Sequence, residues 1–175
     1  MDIHDNLRQS LTVKFDLMRQ RSVAVVRQLA DADMTWSPNA ESTSIANLAL
    51  HIRETVRHRV ETVLLGAEAA RDRDREFDSG LVLSQAEVIS ALTESFDILA
   101  RLARTLPDGD FLRQPLLDRP PTFSALSREA TVLDILLQML AHLSEHVGQI
   151  FYIAKARLGS RYVTTTIPKR PALSA

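Results

Sequence analysis

Two histidines stand four residues apart in Ala141-His142-Leu143-Ser144-Glu145-His146-Val147-Gly148-Gln149-Ile150, inside an apolar segment of helical period. On an α-helix such positions differ by about 40° around the axis and about 6 Å along it. Both imidazoles can therefore face one point, which is what a borderline-soft divalent metal requires of a rigid scaffold. The same spacing also fits two histidines on a partly polar helix face, each bonded to a neighbour.

The chain holds three further histidines, His4, His51 and His58. His51 sits in Leu48-Ala49-Leu50-His51-Ile52, where helical packing would bury it. A buried lone imidazole costs desolvation unless a polar partner or a metal takes it. His51 is thus the candidate third ligand, facing His142 and His146 from another helix. His58 lies about 10 Å further along that helix, too far to share a coordination shell with His51, and reads as a rim residue. His4 falls in a terminus prone to fraying. Three imidazoles with no evident fourth ligand leave an open position, which points to chemistry or ligand capture rather than to a closed structural site. Gln149, seven residues beyond His142, could orient an imidazole or could be a polar residue at the bundle edge.

His142-Leu143-Ser144-Glu145-His146 also matches the inverted zinc-peptidase pattern H-x-x-E-H, in which the glutamate is the general base. That chemistry needs a downstream carboxylate ligand, and Val147 through Gly159 contains no Asp or Glu. Glu145 is then a solvated neighbour or an orienting partner. No catalytic residue can be assigned.

Four helical segments must position these groups. The first carries Leu7, Leu11, Phe15, Met18, Ser22, Val25 and Leu29 at three- and four-residue steps between Asp5 and Ala30. The second starts after Ser42 or Ser44 and stops at Gly66. The third opens with Ser84-Gln85-Ala86-Glu87, a capping box, and closes at Pro107-Asp108-Gly109. The fourth begins near Thr131, with Asp134 in its first turn, and runs to Arg157 before Gly159. Between the second and third, Arg71-Asp72-Arg73-Asp74-Arg75-Glu76-Phe77 reads as a solvated loop. The stretch from Asp110 to Glu129, with Pro115, Pro120 and Pro121, is too long for a tight hairpin and should cross the bundle. These features predict an all-α four-helix bundle over residues 1–159, with a long crossover between helices 3 and 4 and an extended tail over 160–175.

The chain has 175 residues, 21 basic and 22 acidic side chains and no cysteine. A balanced charge gives no field that would recruit nucleic acid or an anionic membrane. Without cysteine there is no disulfide, Cys nucleophile or Cys-ligated metal. No apolar run approaches the ~18–20 residues that span a bilayer, and Met1 to Asn6 lacks the order of a secretory signal, so a cytoplasmic location is expected. Val23, Val25 and Val26 in the first segment, and apolar residues all around the second, suggest surface covered by another copy, so a homodimer is expected.

The sequence resembles the DinB/YfiT-like superfamily, and most closely one of its uncharacterised branches. The likeness rests on Trp36-Ser37-Pro38-Asn39, Ser44 through Ile52, Arg71 through Phe77, His142 through Lys155 and Ile167-Pro168-Lys169. Relatives of this branch continue after the second-helix histidine with Gly-Asn, where this chain reads Ile52-Arg53-Glu54-Thr55. The resemblance implies a four-helix bundle presenting His51, His142 and His146 to a divalent metal, commonly zinc or nickel. It further implies a metal-dependent transferase or isomerase that uses a low-molecular-weight thiol; with no cysteine in the chain, that thiol would come from a cosubstrate. The alternatives are a non-catalytic protein that binds metal or a small ligand, and a structural bundle whose histidines only hydrogen-bond.

Overall fold

The computed structural model describes residues 2–68, 71–115 and 130–165, and all regular structure among them is helical. Helix α1 spans Ile3–Val26, α2 is one turn at Asp31–Met34, and α3 spans Ile45–Arg57 and continues as a π-helical segment, His58–Leu64. A second one-turn helix, α4, covers Arg73–Glu76; α5 runs Gln85–Thr105 and α6 Val132–Leu158. The four long helices share one core, α1 packing on α5 and α6, and α3 packing on the same two. Phe15, Phe96, Leu92, Leu99, Leu136, Met139 and Leu143 are fully buried at its centre.

The helix starts follow the residues that cap them. Ser44, Ser84 and Thr131 accept from the backbone N–H three residues on, and Asn47, Glu87 and Asp134 reach back to the cap N–H. Gly159 ends α6 at a φ of 55°, a conformation that side chains other than glycine's resist. The first helix is shorter than its periodicity predicts, because α1 ends at Val26 and the chain turns through α2. The second reaches Leu64 but changes winding at His58, and Gly66 follows at a φ of 74°. The onset of α6 is tied to the start of the predicted crossover, Val132 N–H donating to Arg113 at 2.9 Å and Leu133 N–H to Phe111 at 3.0 Å. The rest of that crossover, with Pro120 and Pro121, and the tail residues Ile167-Pro168-Lys169 lie outside the described residues. The tail's first residues are anchored, since Gln28 bonds to both the N–H and the carbonyl of Val163, at 2.8 and 3.0 Å.

Two expectations change here. Residues 45–52 are buried without interruption, and Val23, Val25 and Val26 are buried too. The chain itself covers the apolar surface for which a second copy was expected. Part of that cover is the charged stretch, which is not simply a solvated loop. Asp72 to Arg75 are exposed as predicted, but Arg71 is half-buried and Glu76 is 0% exposed.

Asn47 fixes this segment against α3. Its Oδ1 accepts from the Ser44 N–H and hydroxyl, while its Nδ2 donates to the carbonyls of Glu76 at 3.1 Å and Asp78 at 2.8 Å. Replacing it strips the reciprocal cap bond, costing about 1 kcal/mol, and leaves the buried Glu76 carbonyl without its donor, costing about 1–3, while the carbonyl of exposed Asp78 can turn to water. Asn47→Ala is expected to lower stability to urea by about 2–4 kcal/mol; a loss under about 0.5 would mean that the tether does not hold the segment.

Candidate metal centre

Helix α3 contributes one imidazole and α6 two. His142 and His146 lie one turn apart on α6, and His51 faces them from α3. His142 Nε2 is 3.2 Å from His51 Nε2 and 3.2 Å from His146 Nε2, and one nitrogen of each ring lies within 4.8 Å of the others. Nitrogens held 2.0–2.1 Å from a tetrahedral ion are separated by about 3.3 Å, so the spacing fits a metal without rearrangement.

The far side of two rings decides which nitrogen is free. His51 Nδ1 is 2.7 Å from Glu76 Oε2. That carboxylate also receives two bonds from Arg71, Nε to Oε1 at 2.6 Å and Nη2 to Oε2 at 2.7 Å, and Arg71 Nη2 reaches Thr55 Oγ1 at 3.0 Å. Burial alone would raise the pKa of Glu76, but the bonds from Arg71 and His51 outweigh it and hold the carboxyl at about 2. An ionised carboxylate only accepts, so His51 Nδ1 carries the proton and its Nε2 keeps a lone pair directed at the cluster. Gln149 presents Oε1 to His146 Nδ1 at 2.8 Å, which selects the same tautomer there. Such acceptors behind the ligand nitrogens orient the rings and make them better donors.

The cluster disfavours protons. Desolvation, then the neighbouring His146 and His51, with Arg59 and Arg71 behind them, push His142 down to about 4. Burial lowers His146 as well, against a smaller opposite effect of its Gln149 bond. Neutral imidazoles are what a metal needs. A cavity of about 180 Å³ opens on the centre, walled by Thr43, Leu48, Phe77, His146 and Gln149, with His51 and Glu76 at its base.

The structure brings together the three histidines predicted from sequence. Gln149 takes the orienting role foreseen as one of its two readings, whereas Glu145 is exposed. His58 stands outside the trio, half-buried rather than at the rim, with its Nδ1 lacking a hydrogen-bond partner. His4 pairs with Asp2 at 3.1 Å on the surface, near Asp108, which is itself bound by Arg8. Glu76 and Arg71 were missed. Their signal lay in the alternation Arg71-Asp72-Arg73-Asp74-Arg75-Glu76, which shows charges but not which one turns inward.

One family covers almost the whole chain: residues 2–171 match the family described as "Protein of unknown function (DUF1572)". The chain belongs to DUF1572. No curated protein and no solved structure shows significant similarity to it. For this DUF1572 protein the geometry therefore carries the functional argument. Among its described residues, no helix is long and apolar enough to cross a membrane.

The metal-free protein should lose stability as pH falls, in two steps. The ordinary histidine value is 6.5 and folded His142 sits at about 4, so unfolding takes up a proton throughout that interval. Its contribution is complete above 6.5 and lost on approach to 4. Glu76, ordinarily at 4.5 and held at about 2, adds a second loss below 4.5. Melting temperatures followed by circular dichroism should fall from pH 6.5 downward, and His142→Gln should flatten the upper part of that fall. An identical slope in the two proteins would show that His142 is not responsible.

Proposed function

We propose that this DUF1572 protein is a DinB/YfiT-like four-helix bundle that holds one divalent metal, zinc or nickel, through His51, His142 and His146. The single observation behind this reading is the convergence of three Nε2 atoms, two of them in rings whose Nδ1 is already engaged by an acceptor. Rings that merely bonded one another would need one Nε2–H to serve two lone pairs, leaving a buried acceptor short. Three histidines alone leave a coordination position open toward the cavity. The activity we assign is a metal-dependent transfer reaction on a low-molecular-weight thiol from the cell. An ion bound there would lower the pKa of that thiol's S–H and so supply a nucleophile at neutral pH.

The chain's own residues would do the rest. Glu76 and Arg71 keep His51 in one tautomer, Gln149 does so for His146, and Phe77 and Leu48 give the cavity an apolar wall. The charge beyond the ion is balanced at His51, because Glu76 and Arg71 cancel. We also propose that the protein is a homodimer. Support comes from a different face than the sequence indicated: Val13, Leu137 and Tyr152 of α1 and α6 are exposed, and a groove of about 290 Å³ runs between those helices past Leu17, Val147 and Phe151. Light scattering at micromolar concentration should give about twice the chain mass of 19.6 kDa; the single-chain mass would refute it.

Elemental analysis of untagged protein should find about one divalent metal per chain. His51→Ala, His142→Ala and His146→Ala should each lose most of it, and His58→Ala should keep it. Glu76→Gln should bind about 10–100-fold more weakly, as removal of an outer partner does in other metal sites. Full retention of metal by the His51 variant would end the two-helix assignment. Cobalt-loaded protein then separates enzyme from binder: an added thiol should produce an intense sulfur-to-metal band, which no residue of a cysteine-free chain can supply. Failure of small thiols to give that band, together with no consumption of thiol in the presence of electrophiles, would leave a non-catalytic metal-binding protein.

A further inference from the structure

The cavity that opens on the centre offers a ligand no free charge. Apart from two imidazoles, Glu76 is the only residue lining it that can carry one, and its carboxylate is spent on Arg71 and His51. Asn47, also in the lining, is saturated by Ser44 and two backbone carbonyls. Two polar groups remain unspent. Gln149 gives Oε1 to His146, which leaves the N–H bonds of its Nε2 without an acceptor, and the Thr43 hydroxyl is in no hydrogen bond among the described residues. Thr43 is half-buried and Gln149 exposed, so water serves both groups until a ligand replaces it.

The apolar part of the lining is Leu48 and Phe77. Leu48 belongs to the core, but Phe77 keeps 52% of its surface exposed. The chain cannot easily turn that ring inward, because Asn47 holds the carbonyls of Glu76 and Asp78 on either side of it. The ring lies 5.5 Å from that of His51, tilted by 50°, and the Arg73 guanidinium stands 5.6 Å from its centroid. A fixed aromatic wall with a few unspent polar groups is the usual make-up of a small-molecule site. Size narrows the occupant further. The cavity measures about 180 Å³, and an engineered apolar cavity of about 150 Å³ holds benzene. One aromatic ring with a small substituent fits.

We propose that this cavity binds an uncharged aromatic molecule of one ring that bears an acceptor oxygen, the ring lying against Phe77 and Leu48 and the oxygen taking the free donors of Gln149 and Thr43. The inference rests on the proposed transfer reaction only in making this molecule the second substrate, beside the thiol. Binding itself uses no ion. A thiol that carries carboxylates or an ammonium would find no counter-charge in the lining, so those groups would stay in solvent.

Benzamide, benzoate and benzylammonium share a ring and differ in charge. Each is titrated at neutral pH and constant ionic strength into the full-length protein stripped of metal by a chelator, so that benzoate has no ion to ligate. Benzamide should shift the ¹H–¹⁵N resonances of Thr43, Phe77 and Gln149 in a saturable way, with Kd on the order of 1 mM. Benzoate and benzylammonium should bind at least about tenfold more weakly, since either charge would lose water beside a lining with nothing free to pair it. Phe77→Ala truncates an exposed ring, so it should leave the melting temperature unchanged and weaken benzamide about tenfold. The double variant Thr43→Val, Gln149→Leu should weaken benzamide several-fold and toluene not at all. No shift at about 20 mM benzamide, equal affinity for the three compounds, undiminished binding to Phe77→Ala, or equal weakening of benzamide and toluene in the double variant would each overturn the proposal. Zinc binding, measured separately on wild type, keeps the two readings apart. Its absence would remove the metal and leave the charge series decisive, whereas zinc binding without benzamide binding would remove the cavity assignment alone.

Discussion

The contact on which the centre depends is between His51 and Glu76. A carboxylate with no exposed surface is tolerable only because Arg71 engages both of its oxygens while His51 donates to one. Removing either donor would leave a buried charge short of partners, a loss of several kcal/mol. The same contact fixes the His51 tautomer, and so fixes which nitrogen faces α6. Stability and ligand geometry therefore share one set of atoms. The short α4 turn exists to deliver that carboxylate, and Asn47 secures its backbone to the start of α3.

The arrangement carries a cost of its own. Three imidazoles brought within 3.2 Å contacts cannot all carry protons, and burial strengthens the exclusion. His142 stands between two lone pairs that it cannot both satisfy. Leu48, Ile52, Met139 and Leu143, which flank the three histidines along α3 and α6, are buried in the core and fix the two helices that carry the rings. On the proposed reading, rings already held together would take up a metal without the entropy of assembling them.

What the sequence made legible is what helical period and local chemistry can express. The placing of His142 and His146 on one helix face, the capping box at Ser84, the helix start at Thr131 with Asp134 in its first turn, and the helix end at Gly159 depend on residues three or four apart, and the structure has them there. His51 was legible because a histidine among Leu48, Leu50 and Ile52 contradicts its surroundings. The Glu76–His51 contact spans 25 residues and runs through a strap with no period of its own, so nothing local distinguishes Glu76 from Asp74. The burial of Val23, Val25 and Val26 also escaped, because a helix's hydrophobic residues do not say whether a neighbour in the same chain or in another covers them. The burial of Arg59 was concealed by its type: it follows the buried Leu48, Ile52, Thr55 and Val56 along the chain, but an arginine read from sequence is assigned to the surface by default.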